Sequence, residues 1–188
     1  MIDAFLLISQ VYERGDKIWL FGASRGAWAA RSLGEFIAYT GLLAAGEADD
    51  DDAADEAERV WLIYRDDRGK KRGARFWKHH DETPIRMIGV WDTVGELGVP
   101  LFNGLRLIDR DELRFLKFRN RELSPRVEYG RQALAIDEQR ADFVPTVWAE
   151  REGIRQLWFA GVHADVGGGY DSHGLADVAL ELICLLYT

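Results

Sequence analysis

The sequence predicts an α/β domain built on a parallel sheet covered by helices. Three short apolar segments bounded by turn residues have the composition of strands buried on both faces. They are Lys17–Gly22 (KIWLFG), Ile85–Trp91 (IRMIGVW) and Gln156–Val162 (QLWFAGV). Helical periodicity fills the stretches between them, and strands that alternate with helices form parallel sheets. The chain has 188 residues, of which 47% are apolar and 30% charged. That is enough for one domain with a core of its own.

The helices follow from spacing. Arg25–Thr40 places Ala30, Leu33, Phe36 and Ile37 on one face and ends at Gly41, a natural stop. Asp111–Phe118 and Val127–Ile136 are shorter helical candidates. Gly174–Tyr187 closes the chain as a helix with Leu175, Val178, Leu182 and Leu185 in register. Asp66–Lys78 is polar and basic, as in an exposed loop or hairpin, and His79 and His80 belong to the same loop. No repeat or linker divides the chain, so residues 1–188 are expected to form a single domain.

The net charge of −8 has one source. Residues 47–58, EADDDDAADEAE, carry eight of the 32 acids, and the rest balances at 24 acids against 24 bases. The run is expected to be an acidic surface loop, because like charges repel packing. It lacks the spacing of a calcium-binding loop. A neutral body argues against nucleic acid as a partner. The single cysteine, Cys184, excludes an intrachain disulfide and a cysteine-based zinc site. The opening apolar run, Ala4 to Ser9, is short and follows an acid, unlike a signal peptide. No stretch approaches the ~18 apolar residues of a spanning helix. Synthesis in the cytoplasm is the expectation, with no cofactor called for.

Ligands of open α/β sheets bind at the carboxyl ends of the strands, and all three strand candidates end in reactive residues. After the first comes Gly22-Ala23-Ser24-Arg25-Gly26, a G-x-S-x-G elbow between strand and helix. Such a turn exposes a serine hydroxyl. Its glycines, Gly22 and Gly26, are expected to remove side chains that would collide with the strand and helix on either side. Ser24 caps the helix, and the backbone N–H of Arg25 is the natural first oxyanion donor. After the second strand comes Asp92, placed to accept an N–H from a histidine. After the third comes His163, the one histidine of four at a strand end, followed by Gly167-Gly168-Gly169. A loop of that composition is expected to bend back towards Ser24. The order Ser24, Asp92, His163 is that of α/β-hydrolases. Trp28 and Trp91 flank the site in sequence and are the weaker, substrate-lining candidates among seven Trp, nine Phe and six Tyr.

Several phrases together carry a resemblance: GDKIWLFGASRGAWAARSLGEFI, IGVWDTVGELGVP, ALAIDEQRADFVPTVW, QLWFAGVHADVGGGY and GLADVAL. The sequence resembles the α/β-hydrolase domain family that includes type VI secretion phospholipase effectors. The resemblance runs in order from about Gly15 to Leu180. It implies a Ser-Asp-His lipid esterase of phospholipase A type, with Ser24 as nucleophile, Asp92 as acid and His163 as base. It also implies export by a type VI system and an immunity or secretion-apparatus partner. The ALAIDEQR phrase, with Asp137, Glu138 and Arg140, is a hallmark of the family, read here as a salt-bridged turn. Ala23 stands where the family usually has an aromatic residue. Family members also begin with earlier strands and an Asp-Gly-Thr phrase, so the chain is expected to be shortened at its start and at its end. An exposed sheet edge then invites a second copy or another chain to complete the sheet.

The expected function is hydrolysis of carboxylic esters, phospholipid acyl esters first, through an acyl-enzyme. The basic stretches Arg65–Lys78 and Arg106–Arg126 offer peripheral contact with anionic lipid, with solvated faces the plainer reading. Other readings stay open. A catalytically incomplete or subunit-completed domain would fold and bind without turnover. A metal-dependent phosphoesterase using Asp92, His163 and Asp165 would respond to a chelator and ignore Ser24→Ala. A serine hydrolase of non-lipid esters would separate on a panel of acyl chain lengths.

Overall fold

The structure, a computed structural model, describes residues 1–44, 50–66, 79–80, 83–94 and 122–185. In chain order the elements are α1 (Ile2–Val11), β1 (Ile18–Ala23), α2 (Arg25–Thr40), β2 (Leu42–Leu43), α3 (Asp50–Asp66), β3 (His79–His80), β4 (Ile85–Trp91), β5 (Val127–Ala135), β6 (Ile154–Phe159), α4 (His163–Gly167) and α5 (Gly174–Leu185). A four-stranded sheet runs β1-β4-β5-β6, with every neighbouring pair parallel. All four carboxyl ends therefore share one edge. The architecture is the expected one, an α/β arrangement of a parallel sheet flanked by helices.

Close packing on both faces explains the apolar strands. Ile85, Met87, Ile88 and Val90 of β4 are all buried, as expected of a strand covered on both sides. Successive residues of a strand point to opposite faces. A Cβ on Gly34 of α2 would overlap Ile88, so α2 lies tight on one face. A Cβ on Gly89 would come within 2.9 Å of Ile183, so α5 covers the other. The larger core cluster joins Leu20, Ile85 and Ile88 to Phe5, Phe36, Ile37, Leu42 and Val60. A smaller one, Ala133, Ala135, Val166 and Ala179, lies under α4 and α5.

Several expectations are corrected. Val127–Ile136, expected as a helix, is the nine-residue strand β5 and its neighbour Ile136. It lies between two other strands, and six of its residues, Gly130 to Ala135, are buried in succession. The acidic run was expected to be a loop over 47–58, but α3 begins at Asp50. Ala57, Val60 and Tyr64 repeat at helical spacing and are buried, and acids in a first turn suit the helix dipole. The sheet has four strands in place of three. His79 and His80 pair antiparallel with Leu43 and Leu42 as a two-stranded ribbon. The third expected strand sits earlier, at Ile154–Phe159. The expected helix Asp111–Phe118 and the basic segment 67–78 lie outside the described residues.

Candidate active site

The carboxyl edge of the sheet gathers the reactive residues. Ala23 of β1 is in register with Trp91 of β4, so Ser24 and Asp92 leave adjacent strands at the same level. The Ser24 N–H donates to the Trp91 carbonyl at 2.9 Å. Ser24 has φ 57° and ψ −121°, and its side chain makes no capping bond to α2. Ser24 thus stands at the N-cap of α2 as expected, with its Oγ making no capping bond. Asp92 has φ 42°. Among the described residues, these two alone are non-glycine residues with positive φ. Such strain costs on the order of 1–3 kcal/mol and gathers at functional sites.

The two elbow glycines differ. A Cβ on Gly22 would overlap the backbone of Gly26 and Ala27, where nothing can yield. A Cβ on Gly26 would meet nothing within 4 Å. The expected collision therefore holds for Gly22 and is corrected for Gly26.

Asp92 has no solvent exposure. Its Oδ1 accepts the Ala135 N–H at 3.0 Å, and its Oδ2 lies 2.6 Å from Nδ1 of His163. The histidine reaches it from a helix, which corrects the expected loop. His163 is the first residue of α4, four positions beyond β6. Gly168, at φ 74°, ends that helix. α4 runs beside the elbow: a Cβ on Gly167 would stand 3.9 Å from the Cβ of Ala23. The His163 side chain is 12% exposed.

With this geometry in place, residues 1–185 match the family described as "T6SS, Phospholipase effector Tle1-like, catalytic domain". The chain belongs to that family. An uncharacterized protein of Saccharomyces cerevisiae is 28% identical over 149 residues, which are 75% of this chain and 20% of that protein. Among solved structures, the Tle1 effector bound to the VgrG spike from the Type 6 secretion system is 22% identical with a TM-score of 0.48. The match covers 82% of this chain and 25% of that one. An uncharacterized protein from Pseudomonas aeruginosa is 20% identical with a TM-score of 0.48, over 89% of this chain and 23% of that one. The chain thus spans a fifth to a quarter of the length of these relatives.

The remaining candidates of this Tle1-like domain are placed as follows. Arg25 is exposed, at the first residue of α2. Trp28 is half-buried on the first turn of that helix, and its N–H donates to the Ser24 carbonyl at 3.2 Å. Trp91 packs against the small cluster under α4 and α5. Asp165, needed by the phosphoesterase alternative, instead caps its own helix, its Oδ2 accepting the Val162 N–H at 2.9 Å. Among the described residues no three His, Cys, Asp or Glu side chains gather into a metal site, and no helix is long and apolar enough to cross a membrane.

Two networks lie in the domain: the first was not singled out from sequence, and the second, the ALAIDEQR phrase, was expected as a salt-bridged turn, which the Glu138–Arg140 bridge bears out. Arg31, on the apolar face of α2, is fully buried. It donates to Gln132 Oε1 at 3.1 Å and to the Thr146 carbonyl at 2.6 Å, with its guanidinium 4.4 Å from the Trp148 ring centre. Burial pushes it down to about 9, against the pull of Glu35. Gln132 Oε1 also accepts the Thr93 hydroxyl at 2.5 Å, which ties this network to the residue after Asp92. A charged residue inside an apolar stripe was the available signal.

The second network is the DEQR turn. Asp137 exchanges two bonds with Gly161: its Oδ2 accepts the Gly161 N–H at 2.7 Å, and its own N–H donates to the Gly161 carbonyl at 3.1 Å. Glu138 Oε2 accepts the backbone N–H of His163 at 3.2 Å. Arg140 holds Glu138 through Nε at 2.9 Å and Nη2 at 2.7 Å. The Arg140 guanidinium, with backbone N–H bonds from Arg140 and His163, brings the Glu138 carboxyl down to about 2.

Proposed function

We propose that the domain is a serine esterase acting on phospholipid acyl esters, with Ser24 as nucleophile, His163 as general base and Asp92 as orienting acid. The bond of 2.6 Å between His163 Nδ1 and the buried Asp92 carboxylate carries the reading. The strained Ser24 turn on the adjacent strand end supports it, as does membership of a phospholipase effector family.

With its Nδ1 proton donated to Asp92, His163 keeps Nε2 as the acceptor for the Ser24 hydroxyl proton. The Ser24 oxygen adds to the ester carbonyl, and the Arg25 N–H and a second donor hold the oxyanion. Collapse breaks the ester bond, and His163 returns the proton to the leaving alcohol. Water then adds to the acyl-enzyme by the same route and releases the fatty acid and free Ser24. Family membership extends the proposal to delivery by a type VI secretion system, with its apparatus as partner.

The test is release of fatty acid from phospholipid vesicles by the wild-type chain and by Ser24→Ala. Release by the wild type that vanishes in the variant is expected. Activity that survives Ser24→Ala, or that a chelator removes, would overturn the reading.

A further inference from the structure

The ALAIDEQR turn lies against His163: Glu138 accepts its backbone N–H, and Arg140 reaches its ring through Phe143. Asp92 holds the imidazole at Nδ1, and Glu138 accepts the N–H of the same residue. Glu138 is 5% exposed and Arg140 55%, so the pair reaches from His163 to solvent. The Arg140 guanidinium lies 3.6 Å from the centre of the Phe143 ring. That ring meets the His163 imidazole edge-on, with centroids 4.8 Å apart at 75°. The carboxylate thus bonds the backbone of the residue whose ring must gain a positive charge during catalysis, and the guanidinium is separated from that ring by Phe143.

From this we infer that Glu138 and Arg140 are positioning residues for His163, which together fix its backbone and balance the field in which its imidazolium forms. The inference rests on His163 being the catalytic base. Glu138 alone, at the backbone of the residue that Asp92 holds by its ring, would add a second negative charge favouring the imidazolium. Arg140 alone would oppose the imidazolium. Paired, they leave Asp92 as the partner that decides. The other titratable groups on neighbouring segments are Asp165 on α4, Tyr170 beyond it and Arg25 at the start of α2. In and just before α5 stand Asp171, Glu181 and the exposed His173–Asp177 pair, 2.7 Å apart. None of these changes in the variants below, so differences between variants read the pair alone.

The experiment is an NMR titration of the His163 imidazole in the full chain, whose four histidines are few enough to assign with His163→Gln. Glu138→Gln keeps an oxygen for the His163 N–H and leaves Arg140 uncompensated. Its titration midpoint is expected to fall by about half a pH unit, the effect of one partly solvated charge. Arg140→Gln leaves Glu138 uncompensated, and the midpoint is expected to rise by a similar amount. Arg140→Lys and the double variant Glu138→Gln/Arg140→Gln are expected to return close to wild type. The acid limb of kcat/KM should move with the midpoint. Midpoints that stay in place in both single variants, or move the same way, would overturn the inference. Arg140→Gln and Arg140→Lys still decide it if Glu138→Gln unfolds. The titration needs no turnover, so an inactive wild-type chain would count against the esterase reading and leave the charge balance to be judged on its own.

Discussion

Nδ1 of His163 stands 2.6 Å from Oδ2 of Asp92, a carboxylate sealed from solvent whose second oxygen takes the Ala135 N–H. β4 delivers the acid and α4 the base, so the contact joins residues 71 positions apart. Asp92→Asn keeps the size of the side chain and removes its charge. The expected result is a fall of about 10⁴ in kcat, from loss of the tautomer and of imidazolium stabilisation. Steady-state kinetics beside a melting curve checks it. A fall below tenfold in a folded variant would show that the contact does not orient the base.

The elbow distinguishes its glycines. Gly22→Ala drives a methyl group into the backbone of Gly26 and Ala27 and should abolish labelling of Ser24 and lower Tm sharply. Gly26→Ala meets open space within the first turn of α2. It should leave Tm unchanged or raise it, since alanine favours a helix by ~1 kcal/mol over glycine. Equal Tm losses in the two variants would contradict this geometry.

The Glu138–Arg140 pair has an acid limit. Its carboxyl is lowered from 4.5 to about 2, so the folded state binds this proton less readily than the unfolded chain. The stability it adds is complete above about pH 4.5 and is lost as pH falls towards 2. The Tm difference between wild type and Glu138→Gln should be constant at neutral pH and vanish near pH 2. A difference that persists unchanged at the acid end would rule out the carboxylate as its source.

The buried Arg31 network is expected to respond unevenly. In Arg31→Met, neither acceptor is stranded: Gln132 Oε1 keeps the Thr93 hydroxyl and the Thr146 carbonyl keeps Gln132 Nε2. Arg31→Met removes the desolvation cost of the buried guanidinium but also the cation facing Glu35, so a loss smaller than that of stranding a buried polar group is expected. Gln132→Leu instead strands the Thr93 hydroxyl, takes one of the bonds of Arg31 and of Gln156, and should cost about 1–3 kcal/mol. Denaturant unfolding of the two variants measures both. A larger loss for Arg31→Met would reverse the assignment.

The sheet edge was legible in sequence because its chemistry coincides with its breaks. Ser24, Asp92 and His163 each follow an apolar strand, and the structure joins the last two directly. In sequence β5 reads as a short helix, because VEYGRQALA lacks the alternation of an exposed strand. It is central and buried on both faces, with Arg131 and Gln132 interrupting the apolar run. The charge of residues 47–58 obscured the helical spacing of Ala57, Val60 and Tyr64 in α3. His163 begins a helix because Asp165 caps it and Gly168 ends it, and a run of glycines hides that turn. The role of Glu138 depends on a contact 25 residues away, which local pattern does not encode.

The most direct measurement is reaction of the folded chain with a fluorophosphonate probe, followed by mass mapping of the adduct. One adduct on Ser24 is expected, absent in Ser24→Ala and strongly slowed in His163→Ala. A folded wild-type chain that forms no adduct, or forms it at the same rate without His163, would contradict a hydroxyl activated by that imidazole.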